Sequence, residues 1–187
     1  QAEDGIRDLV RSRGLGDVYK RQVIAQTIGL NYNFFKPWVE KGNSLLRSIH
    51  YPPIKSLSNL HRARAHEDIN LITLLIGAEE GGLEVLHRDG SWIKVKPSSK
   101  AIVCNIGDMM QLVTDKHLVS TTHRVIQDLD QESKARYSIP FFLHPRLEMP
   151  LDCIDSCIDE NNPKGFEDIT AGDFLYQRLV DLGLVKD

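Results

Sequence analysis

Between His66 and Ser138 lie three short clusters whose residue types could do chemistry: His66-Glu67-Asp68, His123-Arg124-Val125 and Arg136-Tyr137-Ser138. In an extended strand, side chains two apart share a face, so His66 and Asp68 are presented together while Glu67 points away. A helix would put them on nearly opposite sides. Two neutral imidazoles and one carboxylate make a 2-His-1-carboxylate donor set, which suits non-heme Fe(II) and leaves coordination positions open. His-x-Asp alone is a weak signal, because such pairs are usually surface residues or satisfied core residues. His123 is too distant in sequence to form a local motif with it.

The elements that must position these side chains read as short strands separated by turn signals, the pattern of an antiparallel sandwich or barrel. Strands are expected near Leu83–His87, Ser91–Val95, Ala101–Asn105, Met109–Val113, Thr122–Gln127 and Arg136–Leu143. Asp89-Gly90 suits a tight hairpin, and Gly81-Gly82 and Gly107-Asp108 suit turns that need positive φ. Leu45 to Tyr51 reads as one further strand, ended by Pro52-Pro53 because proline lacks the ladder donor and holds its predecessor extended. Pro140 argues for an edge or bulge in the last strand. From Val23 to Glu40, the apolar positions Ile24, Ile28, Phe34, Phe35 and Trp38 fit two short helices broken near Leu30-Asn31 and Pro37. Thr170-Ala171-Gly172-Asp173 resembles a capping box that opens a final amphipathic helix.

Context strengthens the ligand reading. After His66-Glu67-Asp68 come the apolar run Ile69 to Ile76, Gly81-Gly82-Leu83-Glu84-Val85, Asp89-Gly90-Ser91-Trp92, Asn105-Ile106-Gly107-Asp108, Ser120 to Val125 and Arg136 to Phe142. In that order and spacing the chain, from about Val23 to the C-terminus, closely resembles the isopenicillin N synthase-like branch of the 2-oxoglutarate and Fe(II)-dependent dioxygenases. The resemblance implies a mainly β fold with flanking helices, a double-stranded β-helix or jelly roll, in which a returning strand brings His123 opposite His66 and Asp68. It implies Fe(II) held by His66, Asp68 and His123, with 2-oxoglutarate as co-substrate and O2 as oxidant. Arg136 and Ser138 would hold the distal carboxylate of 2-oxoglutarate, and Tyr51 matches a tyrosine that contacts the co-substrate. The chain departs from many relatives at Gly77-Ala78 and at Thr114-Asp115-Lys116.

The residues support this independently where they can. A guanidinium grips a carboxylate through two parallel charge-assisted bonds, and a hydroxyl two residues on in a strand adds a third donor. The alternative for Arg136 is a strand-mouth arginine paired to a surface acid, and for Tyr51 a strand-end tyrosine with its hydroxyl in water. His50 and His61 read as surface or core histidines. The leading expectation is a 2-oxoglutarate-dependent dioxygenase that oxidises, chiefly by hydroxylation, a small organic molecule with release of succinate and CO2. Two alternatives stay open: an Fe(II) oxidase of the same fold that uses no 2-oxoglutarate, since isopenicillin N synthase itself places its substrate on an Arg-x-Ser, and an inactive truncated jelly-roll module.

Composition narrows the partners. At 187 residues, with 41% hydrophobic and 26% charged side chains, the chain suits one globular domain with a sizeable core. A net charge of −3 and no lysine-arginine stripe give no footprint for nucleic acid or anionic lipid. The apolar run at Leu71 to Ala78 is too short to span a bilayer, and a cytoplasmic location is the plain reading. A small-molecule substrate is the partner expected, and nothing in the sequence fixes an oligomeric state. Cys104, Cys153 and Cys157 are an odd set without zinc-type spacing, expected as reduced thiols.

Residues 1–22 stand apart: charged, glycine-containing and without a clear apolar period. They read as an atypical leader of adapter or assembly origin, ahead of a dioxygenase domain over 23–187 that lacks most of the family's N-terminal region. Sequencing the intact locus is expected to show different codons ahead of Val23; finding residues 1–22 encoded in frame behind a normal start would refute this.

Overall fold

The computed structural model describes residues 16–53, 61–76, 81–96, 101–127 and 134–186. A helix through 16–27 (α1) crosses the boundary expected at 22/23, and Ala25 on it is fully buried. Lys36–Val39 (α2) follows. Pro37 occupies its first turn, where the missing N–H costs nothing, so proline starts this helix rather than breaking one. Phe35 and Trp38 meet edge to face at 5.4 Å and anchor this segment in the core.

The remainder is mainly antiparallel sheet. The strands are β1 (Leu45–Leu46), β2 (Ile49–Tyr51), β3 (Ala63–His66), β4 (Ile72–Ile76), β5 (Leu83–Leu86), β6 (Trp92–Lys94), β7 (Ile102–Ile106), β8 (His123–Val125), β9 (Arg136–Ser138) and β10 (Phe141–Leu143). They form two four-stranded sheets, ordered β1-β10-β4-β7 and β3-β8-β5-β6, and a two-stranded sheet β2-β9. Pleat alternation on β4 and β7 sends Leu74 and Cys104 toward the main core and Thr73, Leu75 and Asn105 toward the opposite face. The core under the first sheet comprises Leu71, Ile72, Leu74, Met109, Met110, Val113 and Leu143, roofed by α1, α2 and the terminal helix α4 (Ala171–Asp181). At the start of α4 the Thr170 hydroxyl accepts the Asp173 N–H at 3.1 Å, the cap read from the sequence.

Three expectations are corrected. Met109–Val113 is not a strand; it belongs to a helix, α3 (Asp108–Val113), because Gly107 takes an extended N-cap geometry and Asp108 supplies an acidic first turn. A short apolar run fits a buried strand and a buried helix equally well. Gly107 needs no positive φ: its φ is −104°, and glycine is required because a Cβ there would lie 2.1 Å from the Asn70 carbonyl oxygen. The stretches Leu45 to Tyr51 and Arg136 to Leu143 each divide into two strands. The gaps at Arg47-Ser48 and Ile139-Pro140 are where the two stretches change sheets together, and the Pro140 carbonyl still accepts the Arg47 N–H at 3.0 Å. Gly81 and Gly82 do have positive φ, and Asp89-Gly90 closes the β5-β6 hairpin with His87 N–H on Ser91 O at 2.8 Å. Gly77 and Ala78 lie outside the described residues. No helix among the described residues is long and apolar enough to cross a membrane.

Gly107→Ala is expected to destabilise the fold by about 2–3 kcal/mol, because the overlap is with backbone rather than a flexible side chain. Urea unfolding measures this, and a variant as stable as the parent would show that the 68–71 turn can move aside freely.

Candidate metal centre

His66 and His123 face each other across adjacent strands, as directly paired positions of β3 and β8. Their rings lie 4.4 Å apart between centroids. A register shift between Ala63 and His66 bulges β3, which re-aims the strand end toward the interior. β3 ends at His66, so Glu67 and Asp68 lie beyond it, and strand pleating is not what holds the carboxylate. Instead the N-terminus of α3 grips the turn: Asp108 N–H donates to Asp68 O at 2.7 Å, and Met109 N–H is shared between Ile69 O and Asn70 O at 3.2 Å each. The helix donors that have no partner within the helix thus fix the segment carrying Asp68.

The three side chains converge. His66 Nε2 is 3.9 Å from Asp68 Oδ1, and His123 Nε2 is 3.9 Å from Asp68 Oδ2. One donor atom from each of the three lies within 4.8 Å of the others, the one such histidine, cysteine and carboxylate cluster among the described residues. Donors each about 2.1 Å from one ion are separated by at most about 4.2 Å, so the 3.9 Å pairs suit a shared ion. Both imidazoles are oriented the same way: His66 Nδ1 lies 2.7 Å from Arg64 O, and His123 Nδ1 lies 3.0 Å from Thr121 O. A carbonyl can only accept, so each Nδ1 carries the proton and each Nε2 presents a lone pair. Asp68 Oδ2 is buried and has no hydrogen-bond donor among the described residues. An orphaned carboxylate oxygen between two imidazole lone pairs is what a divalent cation would satisfy.

Glu67 faces away, as expected: its carboxylate accepts the Thr122 hydroxyl and lines a separate cleft with Asp108 and Arg178. Burial pushes the Asp108 carboxyl above the usual range, against the pull of the Ser120 hydroxyl and of Arg178, which lies 3.3 Å away.

Beside the three donors a cavity of about 300 Å³ opens between the sheets. Arg136 and Ser138 are both buried on β9, with Tyr137 between them exposed, so the alternation read from the sequence holds. Arg136 Nε donates to Gly81 O at 3.0 Å, and its guanidinium lies 5.3 Å from the ring of Tyr51, its direct cross-strand partner. All three line the cavity, along with Thr73, Leu75, Asn105, Val125 and Phe142. Arg62 lines it too and was not singled out from the sequence. Its place four residues before His66 is the available signal, and Arg64 carries the same strand parity, so alternation alone does not single Arg62 out.

A family model described as the 2OG-Fe(II) oxygenase superfamily matches residues 42–145, which include every residue named at the centre. The chain belongs to the 2OG-Fe(II) oxygenase superfamily. Among curated members it is 34% identical, over 82% of its length, to the 2-oxoglutarate-Fe(II) type oxidoreductase hxnY of Emericella nidulans, and it spans 44% of that protein. Among solved members, a Caulobacter crescentus protein of the 2OG-Fe(II) oxygenase family superposes with a TM-score of 0.88 at 43% identity, covering 96% of this chain and 59% of that one. A Neurospora crassa protein, solved at full length in complex with alpha-KG, superposes with a TM-score of 0.86 at 29% identity, covering 96% and 57%. The antiparallel sheets with flanking helices are those of this superfamily.

Next to the centre, burial holds the His144 imidazole below its usual range, opposed by the negative charge of Asp68. Its Nδ1 is buried and has no partner among the described residues. The folded state therefore favours neutral His144, while the unfolded chain takes up the proton near pH 6.5. Stability is full above that value and declines as pH falls through it toward the lower folded pKa. His144→Gln is expected to flatten this acid-side decline in denaturation midpoints measured between about pH 7.5 and 5.5, roughly one unit either side of the usual imidazole value. An unchanged slope would assign the decline to other groups.

Proposed function

We propose that this chain is the catalytic portion of a non-heme Fe(II) and 2-oxoglutarate-dependent dioxygenase that hydroxylates a small organic molecule. The reaction would be substrate C–H plus O2 plus 2-oxoglutarate to substrate C–OH plus succinate plus CO2. The observation that carries this is the convergence of His66, Asp68 and His123 around an orphaned carboxylate oxygen, beside a cavity with a buried Arg-x-Ser. Further support comes from the Neurospora crassa relative solved with alpha-KG, and from JOX2, solved with 2OG, Fe and JA. The order of motifs favours the isopenicillin N synthase-like branch, and the two facing sheets favour a double-stranded β-helix.

Fe(II) bound to His66, Asp68 and His123 supplies the redox chemistry that couples oxidative decarboxylation of the keto acid to C–H oxidation. The chain does the rest. Arg64 O and Thr121 O keep both imidazoles in the ligating tautomer. Arg136 and Ser138 bind the distal carboxylate, with Tyr51 flanking the guanidinium. Leu75, Leu83, Val125 and Phe142 keep the walls apolar and dry, so that the small molecule, rather than water, meets the reacting centre.

Asp68→Ala is expected to abolish iron-dependent succinate formation, and Arg136→Ala to raise the 2-oxoglutarate concentration needed by roughly 10-fold or more. Unaltered succinate release from Asp68→Ala would rule out the assignment. Turnover that needs no 2-oxoglutarate at all would identify the oxidase of the same fold.

A further inference from the structure

Arg62 sits just ahead of β3, and its N–H extends that strand's ladder by donating to Val125 O at 2.8 Å. Its guanidinium is held on two sides. Nε donates to Gln127 Oε1 at 2.8 Å, and Nη2 donates at 2.6 Å to the carbonyl of Lys134, two residues before Arg136. The group is thereby fixed beside the root of Arg136, at the end of β3 and β8 remote from the His66–His123 pair. Nη1 is buried and has no acceptor among the described residues. A strand tie needs only the two bonds already made. A buried, charged donor left without an acceptor is costly unless a ligand supplies one.

The oxygens that Tyr51, Thr73, Asn105 and Ser138 bring to the cavity are neutral, and among the described residues that line it the one carboxylate is Asp68, committed beside His66 and His123, whereas Arg62 and Arg136 line it away from that pair. A carboxylate offers about four lone-pair sites, and the fork of Arg136 with the Ser138 hydroxyl can fill about three. We propose that Arg62 is a second cationic anchor for the distal carboxylate of 2-oxoglutarate, its Nη1 taking the remaining site. The inference rests on the reading of this cavity as a 2-oxoglutarate pocket. It makes Arg62 a co-substrate selector: it rewards a dicarboxylic keto acid over a monocarboxylic one, and its planar fork is locked in place where a lysine would be a mobile point charge.

The test is anaerobic calorimetry on the Fe(II)-loaded chain with two ligands. These are 2-oxoglutarate and 2-oxopentanoate, which keeps the chelating keto acid and lacks the distal carboxylate. Arg62→Gln is expected to weaken 2-oxoglutarate by roughly 10- to 100-fold, the range for one charge-assisted bond, and to leave 2-oxopentanoate within about twofold. Arg62→Lys keeps the charge on a flexible stem and is expected to fall between the two for 2-oxoglutarate. It also reports alone if Arg62→Gln does not fold. Unchanged 2-oxoglutarate affinity overturns the proposal, and so does an equal loss for both ligands, which would make Arg62 a structural tie. Failure of the parent chain to bind either acid would instead remove the pocket reading itself, and this inference with it.

Discussion

One unsatisfied oxygen organises this molecule. Asp68 Oδ2 is buried, faces the Nε2 of His123 at 3.9 Å and has no donor among the described residues. Leaving a buried carboxylate in that state costs stability, and neither neighbour can relieve it by hydrogen bonding. Both imidazoles spend their Nδ1 protons on backbone carbonyls two residues upstream and turn lone pairs toward the carboxylate. Three electron-rich atoms held together this way repel one another until a cation arrives. The fold therefore stores a preference for a divalent ion, and the surrounding elements keep the three groups from drifting apart.

Two devices do that holding. The β3-β8 ladder pairs His66 directly with His123, so the imidazoles are neighbours by register rather than by a long reach. The carboxylate is fixed separately, by the N-terminus of α3 bonded to the carbonyls of Asp68, Ile69 and Asn70. Gly107 makes that junction possible, because any side chain there would collide with Asn70. Farther along the cavity, the β2-β9 pair places Tyr51 opposite Arg136, and Gly81 O anchors the guanidinium. The His66–His123 pair and the Arg136–Tyr51 pair are thus carried by different sheets, β3-β8-β5-β6 and β2-β9.

Much of this was legible in the residues. Period-2 spacing put Arg136 and Ser138 on one buried face, turn glycines marked Gly81-Gly82 and Gly90, and Thr170 announced α4. The His66, Asp68 and His123 set was legible as types, but its closure came from resemblance: no local spacing connects a strand end to a position far along the chain. What escaped had physical causes. Met109 to Val113 is almost wholly apolar, so periodicity could not separate a buried helix from a buried strand, and the element that grips Asp68 went unrecognised. Arg62 escaped because Arg64 shares its strand parity with His66, so period-2 spacing does not tell which arginine reaches the cavity. Pro140 was read as a disturbance in one strand, whereas it marks the point at which the chain passes between sheets.

The most direct test of the central claim is X-ray absorption at the iron edge of the anaerobic Fe(II)-loaded protein. The arrangement predicts the multiple-scattering signature of two imidazoles, with oxygen filling the remaining coordination positions and no sulfur. A spectrum with one imidazole or none, or with a thiolate in place of the carboxylate, would contradict it.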